Sequence, residues 1–245
     1  MKKFLLFVVF LWFSMAAMPA QAEGMSKEQG DAILKELRSI KILLQQGPQQ
    51  ARQKRGPVAP SRVKVSSTDG VSFGNPKAPL ILVEFTDYEC PYCKRFYDTT
   101  FAEIKKKYID TGKLRFISRN LPLPFHKNAE NAALAAVCAG DQGKYWQMRK
   151  SIFGNPKEMQ EEHLSAYAKD NGLNVKQFDT CMTKKTHSAK IKKDVADARV
   201  IGITGTPSFV LARSGGDIVE GEKLIGALPL ITFEAKIKAL LKQRK

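Results

Sequence analysis

Apolar positions change their period several times along the chain, and each change marks an element. Phe4 to Phe13 is an unbroken apolar run behind Lys2 and Lys3. Residues 25–46 then take a helical period: Ile33, Leu37, Ile40 and Leu44 recur at spacings of four, three and four. Leu34 and Leu43 widen that stripe, and charged residues fill the other faces. Gln45 to Pro60 has no period and is rich in Gln, Arg, Pro and Gly, which is the composition of a linker. A stripe held away from the next domain by a linker reads as an oligomerisation helix, by a register that suits a dimer or a trimer; packing on its own domain is the alternative.

The main domain is expected from Val63. Phe73 to Pro79 is a turn-rich entry to an apolar strand, Leu80 to Phe85. Tyr97, Phe101, Ile104 and Tyr108 follow at helical spacing, Thr111-Gly112 stops that helix, and Leu114 to Ser118 is a second strand. Strand, helix and strand in this order predict a parallel pair. From about 126 to 198 the pattern is helical, with segments at 129–139, 145–153, 161–171 and 175–184; Tyr145 and Trp146 are read as packing inside this block. Gly205-Thr206-Pro207 leads into a strand at 208–212, Ser214 to Asp217 is a hairpin turn, and Ile218-Val219 is the returning strand. Residues 229–241 close as a helix with Pro229 in its first turn. The expected organisation is therefore 1–22 leader, 23–46 helix, 47–62 linker and 63–245 an α/β domain with a helical insertion.

Composition bears on compartment more than on fold. The basic start, the short apolar run and Ala20-Gln21-Ala22 form a secretory signal peptide cut after Ala22, the alternative being an uncleaved anchor. Roughly 220 residues remain, enough for one large domain with an appendage. The mature chain is expected in an oxidising, extracytoplasmic space such as a bacterial periplasm. The formal charge is +16, two less once Lys2 and Lys3 leave. Its basic residues are scattered or terminal, as on solvated helix faces, so no nucleic-acid partner is expected.

The chemistry concentrates in Cys90-Pro91-Tyr92-Cys93, directly after the first strand. Two cysteines three apart at a helix start place both sulfurs on one face of the first turn. Cys90 then sits at the positive end of the helix dipole, which favours its thiolate, the attacking species in disulfide exchange. Pro91 suits the first helical position and leaves Cys90 accessible with Cys93 tucked beneath. Cys90 is the candidate nucleophile and Cys93 the resolving thiol. A zinc half-site would need a second close ligand pair, which Cys138 and Cys181 do not form. Glu84, six residues before Cys90, is expected on the buried side of its strand with Leu82. There its carboxyl would have a raised pKa and could exchange the Cys93 proton; an exposed strand-edge position is the alternative. Cys138 and Cys181, 43 residues apart, are read as a structural disulfide contributing ~4 kcal/mol, with two free buried thiols as the alternative. His126, His163 and His187 are too dispersed to suggest a metal site, and His126 is read as structural.

Glu84-Phe85 ahead of Cys90-Pro91-Tyr92-Cys93, a late strand opening at Thr206-Pro207, and the helical block between them resemble the DsbA-like thioredoxin-fold disulfide oxidoreductases, from about Phe73 to the C-terminus. The resemblance implies a thioredoxin fold with an inserted helical subdomain. It also implies a cis bond at Pro207, a substrate-docking edge at Pro207, Thr206 and Tyr92, and a buried acid at Glu84. Tyr92 replaces the His common in strong oxidases, and Thr206 replaces their Val. Both are more similar to the oligomeric DsbG- and ScsC-like branches, which also carry N-terminal assembly segments. The implied protein forms or isomerises disulfides in secreted, cysteine-containing substrates. It would need a membrane redox partner and no organic cofactor or metal. A binding chaperone or metal-tolerance module with dispensable redox chemistry is the competing class.

Overall fold

A computed structural model describes the backbone over residues 26–53 and 61–242, and side chains over 26–42 and 61–242. The leader at 1–22 and residues 54–60 of the expected linker lie outside the described residues. The chain divides into two units, residues 1–58 and 59–245.

In the first unit, α1 spans Lys27–Gln53. A reciprocal cap starts it: Gln29 N donates to Ser26 Oγ at 3.2 Å, and Ser26 N donates to Gln29 Oε1 at 3.0 Å. The helix runs past the expected end at residue 46, through Gly47 and Pro48. The run Gln49-Gln50-Ala51-Arg52-Gln53 beyond them has good intrinsic helix propensity, which the linker reading overlooked. Ile33, Leu34, Leu37 and Ile40 are 49–56% exposed.

The second unit is built on a six-stranded sheet of order β1-β6-β5-β3-β4-β2. Its strands are β1 (Arg62–Ser66), β2 (Val71–Phe73), β3 (Leu80–Thr86), β4 (Leu114–Asn120), β5 (Ser208–Arg213) and β6 (Ile218–Ile225). β3 and β4 are the parallel pair, and every other pairing is antiparallel. β3 lies between β4 and β5 and is buried along its whole length. Leu80 and Leu82 face one apolar cluster with Phe96, Phe116, Phe209 and Phe233, while Ile81, Val83 and Phe85 face another with Ile203 and Val210. A continuous apolar run such as 80–85 is what burial on both faces requires.

Helices cover both faces. The connection from β3 to β4 runs as α2 (Pro91–Arg95), a π-helical stretch (Phe96–Phe101), α3 (Ala102–Ile104) and a second π-helical stretch (Lys105–Ile109). The wider i→i+5 winding sets Phe96 and Phe101 into one aromatic cluster, which a regular α-helix over these positions would not. The insertion comprises α4 (Ala129–Gly140), α5 (Tyr145–Gly154), α6 (Glu161–Asp170), α7 (Val175–Thr183) and α8 (Ser188–Val200), and α9 (Leu230–Lys242) closes the chain. Cys138 on α4 and Cys181 on α7 are joined by a disulfide, with Cα atoms 5.9 Å apart. β6 is much longer than Ile218-Val219. Gly221 interrupts its apolar pattern because a Cβ there would lie 2.5 Å from the Leu211 carbonyl oxygen on β5.

Candidate active site

The C-terminal end of β3 delivers Asp87, Tyr88 and Glu89 to a turn, and the turn delivers Cys90 to the N-cap of α2. Pro91, without an N–H, occupies the first helical position. Both cysteines are free thiols. Cys90 keeps 4% of its surface and Cys93 none, so the accessible sulfur is the expected one but is less open than its position suggests. Cys93 Sγ accepts the Asp87 N–H at 3.4 Å, and Cys90 Sγ lies 3.4 Å from the Thr206 carbonyl oxygen.

The two thiols have opposite acidities. Cys90 is lowered from 9.0 to about 5, chiefly because the Cys93 thiol donates to its sulfur; the Thr206 side chain and the N–H groups of Cys93 and Tyr92 add to this against the cost of burial. Cys93 is raised well above 9.0, first by burial and then by the Cys90 and Glu84 charges. An asymmetric pair results, one sulfur poised to attack and the other held protonated until it is needed.

Thr206 and Pro207 face the pair from the start of β5 through a cis peptide bond. Thr206 Oγ1 is buried with no partner apart from its influence on Cys90. Tyr92 is 56% exposed, its ring 4.9 Å from the Arg95 guanidinium.

Glu84 is fully buried on β3, on the face shared with Leu80 and Leu82. It is an ion-paired acid: Arg149 Nη2 donates to Glu84 Oε2 at 2.8 Å, while Oε1 has no partner. Burial outweighs the Arg149 charge and raises the carboxyl above its ordinary range. Arg149 is equally buried. Its Nη1 donates to Ser118 Oγ at 2.9 Å, Tyr145 OH donates to the same oxygen at 3.0 Å, and Tyr88 OH donates to Tyr145 OH at 3.1 Å. Rings of Tyr88, Tyr97, Phe101, Phe116, Trp146 and Phe153 surround the guanidinium at 4.9–6.0 Å.

Sequence reasoning missed Arg149, although a signal was present. Tyr145, Met148, Arg149, Ile152 and Phe153 are the buried positions of α5, so the arginine stands on the apolar stripe itself. Tyr145 joins the polar network as well as packing the block. His126 Nδ1 pairs with the buried Asp87 carboxylate at 2.8 Å, which also accepts Leu123 N and Glu89 N, so this histidine secures the active-site turn.

A parallel β3–β4 pair, a Cys-X-X-Cys at the helix following β3, a cis-proline opposite it and a helical insertion define a thioredoxin fold of the DsbA type. The family model described as thioredoxin matches residues 66–224. The chain belongs to that family, and its fold and dithiol are those of the DsbA-like thiol–disulfide oxidoreductases. Among solved structures, alpha-DsbA1 of Wolbachia pipientis is 29% identical with a TM-score of 0.60, over 71% of this chain and 91% of that one. BdbD from Bacillus subtilis is 27% identical with a TM-score of 0.60, over 70% and 92%. A thioredoxin-like oxidoreductase from Silicibacter pomeroyi DSS-3 is 25% identical with a TM-score of 0.61, over 73% and 95%.

Curated relatives carry a different name. The Na(+)/H(+) antiporter NhaA 1 of Salinispora arenicola is 32% identical over 137 residues, and NhaA of Herminiimonas arsenicoxydans is 30% identical over 166. The match spans 20% and 25% of those proteins' lengths. Among the described residues, no helix is long and apolar enough to cross a membrane.

Proposed function

We propose that this protein is exported to the periplasm and there forms and isomerises disulfides in secreted proteins through Cys90 and Cys93. The observation that carries this is the opposed acidity of the pair beside the Thr206-Pro207 edge. In the reduced form the Cys90 thiolate attacks a substrate disulfide, one substrate sulfur leaves as thiolate and takes a proton, and a mixed disulfide forms. For isomerisation a second substrate thiol then displaces Cys90. If none arrives, Cys93 loses its proton, attacks Cys90 and releases the substrate reduced. Oxidation runs this last sequence backwards, from a Cys90–Cys93 disulfide to a substrate dithiol. The unpartnered Oε1 of Glu84 is the acceptor we assign to the Cys93 proton. A membrane redox partner restores the working state.

Homo-oligomers form through α1. The exposed Ile33, Leu37 and Ile40 are spaced by four and then three residues, the alternation with which helices bury such a seam against each other. Paired domains can hold one misfolded chain between several thiols, which favours isomerisation over simple oxidation.

Reactivation of a scrambled multi-disulfide protein, run beside oxidation of the same protein in reduced form, tests this reading. Rescue of the scrambled form is expected. Oxidation without rescue would overturn the isomerase assignment, and failure of both would overturn the whole.

A further inference from the structure

The Cys138–Cys181 bridge has two polar neighbours, His187 and Asp141. The fold brings His187, on the turn before α8, to this pair. A ring nitrogen of His187 and the two sulfurs all lie within 4.8 Å of one another. Asp141, at the C-cap of α4, adds an oxygen: its Oδ2 is 2.8 Å from His187 Nε2 and 3.8 Å from Cys181 Sγ. Among the described residues this is the one cluster of three metal-ligating groups within such reach. Along the chain, Cys138 and Cys181 do not form a close pair and the histidines are scattered. The convergence is a product of the fold.

We infer that Cys138, Cys181, His187 and Asp141 form a redox-gated metal site apart from the catalytic pair, closed as a disulfide and open to a thiophilic divalent ion such as Zn2+ when reduced. Two thiolates, an imidazole and a carboxylate or water are a donor set that tetrahedral zinc takes. Such a centre, with Zn–S of about 2.3 Å and Zn–N of about 2.0 Å, spaces its ligand atoms by about 3.5–3.8 Å, so the sulfurs, bonded to each other in the oxidised protein, must move apart on reduction to admit the ion. The sulfurs are buried, but His187 and Asp141 side chains are 22% and 43% exposed, so an ion reaches the site from solvent through its own ligands.

The gating step balances with a dithiol as reductant. Its two thiols transfer two electrons and two protons to the Cys138–Cys181 bond, leaving two protein thiols and an oxidised donor disulfide. Zn2+ then displaces two protons and is held by two thiolates. Exchange with an incoming disulfide reforms the Cys138–Cys181 bond: that disulfide takes up two electrons and two protons and leaves as a dithiol, and Zn2+ is released.

The test uses the full chain carrying Cys90→Ser and Cys93→Ser, so that the catalytic pair contributes no sulfur. The protein is reduced with a phosphine and titrated with Co2+, then with Zn2+ in competition. One equivalent of Co2+ should bind with a thiolate charge-transfer band and tetrahedral d–d bands, and Zn2+ should displace it. The oxidised protein should show neither band. Cys138→Ser and Cys181→Ser together should remove the charge-transfer band. His187→Ala should weaken Co2+ binding at least about tenfold while the oxidised fold, followed by circular dichroism, is unchanged. Absence of the bands after verified reduction would overturn the inference. So would equal affinity in His187→Ala, the pattern expected of thiols in an unfolded chain.

Discussion

Acidity at Cys90 sets the driving force of this enzyme, and its consequence for stability can be worked from the structure. A thiol lowered from 9.0 to about 5 is almost wholly thiolate at pH 7 in the folded, reduced protein and almost wholly protonated in the unfolded chain. A depressed pKa stabilises the folded form fully above the unfolded value near 9, and that stabilisation is lost as pH falls through 5. Each pH unit between is ~1.4 kcal/mol, so at pH 7 the ideal contribution is ~2.7 kcal/mol. Cys90 is buried and shares a proton with Cys93, so the pair rather than one group titrates, and we expect about 1–2 kcal/mol. The oxidised form has no such group. Urea unfolding of both forms at pH 7 and pH 4 should therefore show the reduced form losing about 1–2 kcal/mol relative to the oxidised one on acidification. Thiolate absorbance of the reduced protein, referenced to Cys90→Ser, should titrate with a midpoint near 5. A midpoint above 7, or a stability gap that does not change with pH, would refute the reasoning.

Further expectations concern the buried groups and the helix. Arg149→Met strips the Glu84 carboxylate of its partner and should cost about 3–5 kcal/mol in urea unfolding, while Arg149→Met with Glu84→Gln should recover much of that loss. Thr206→Val removes a group that favours the Cys90 thiolate, so its absorbance midpoint should move upward from wild type. Replacing Cys138 and Cys181 together by Ala should lower stability by about 4 kcal/mol, the chain-entropy value for their 43-residue separation, while insulin reduction by the remaining pair persists. Deleting residues 26–53 should give a monomer by light scattering that still oxidises a reduced substrate but no longer rescues a scrambled one.

Much of this architecture is legible in the sequence where one interaction dominates. β3 declares itself because seven consecutive buried positions must be apolar or specially paired, and the cysteine pair declares itself because its spacing has few other uses. β1 was passed over: its buried Val63 and Val65 alternate with exposed residues over only five positions, beside a polar turn. Arg149 and Asp194 were hidden for another reason. Each stands on the buried stripe of its helix, paired with a residue distant in sequence, Glu84 and Arg119 respectively, and only the fold reveals the partner. Glu84 shows the same limit. Its burial follows from alternation along β3, but that its charge is shared with α5 does not. His187 is the extreme case, unremarkable along the chain and adjacent to two sulfurs in space.

The central claim is that Cys90, and not Cys93, attacks the substrate disulfide. Reduced Cys93→Ser and reduced Cys90→Ser proteins, each incubated with a disulfide-bonded peptide and analysed by mass spectrometry, test it directly. A stable mixed disulfide on Cys90 in Cys93→Ser and no adduct in Cys90→Ser are expected. Comparable adducts on Cys93 in Cys90→Ser, or none on Cys90 in Cys93→Ser, would contradict it.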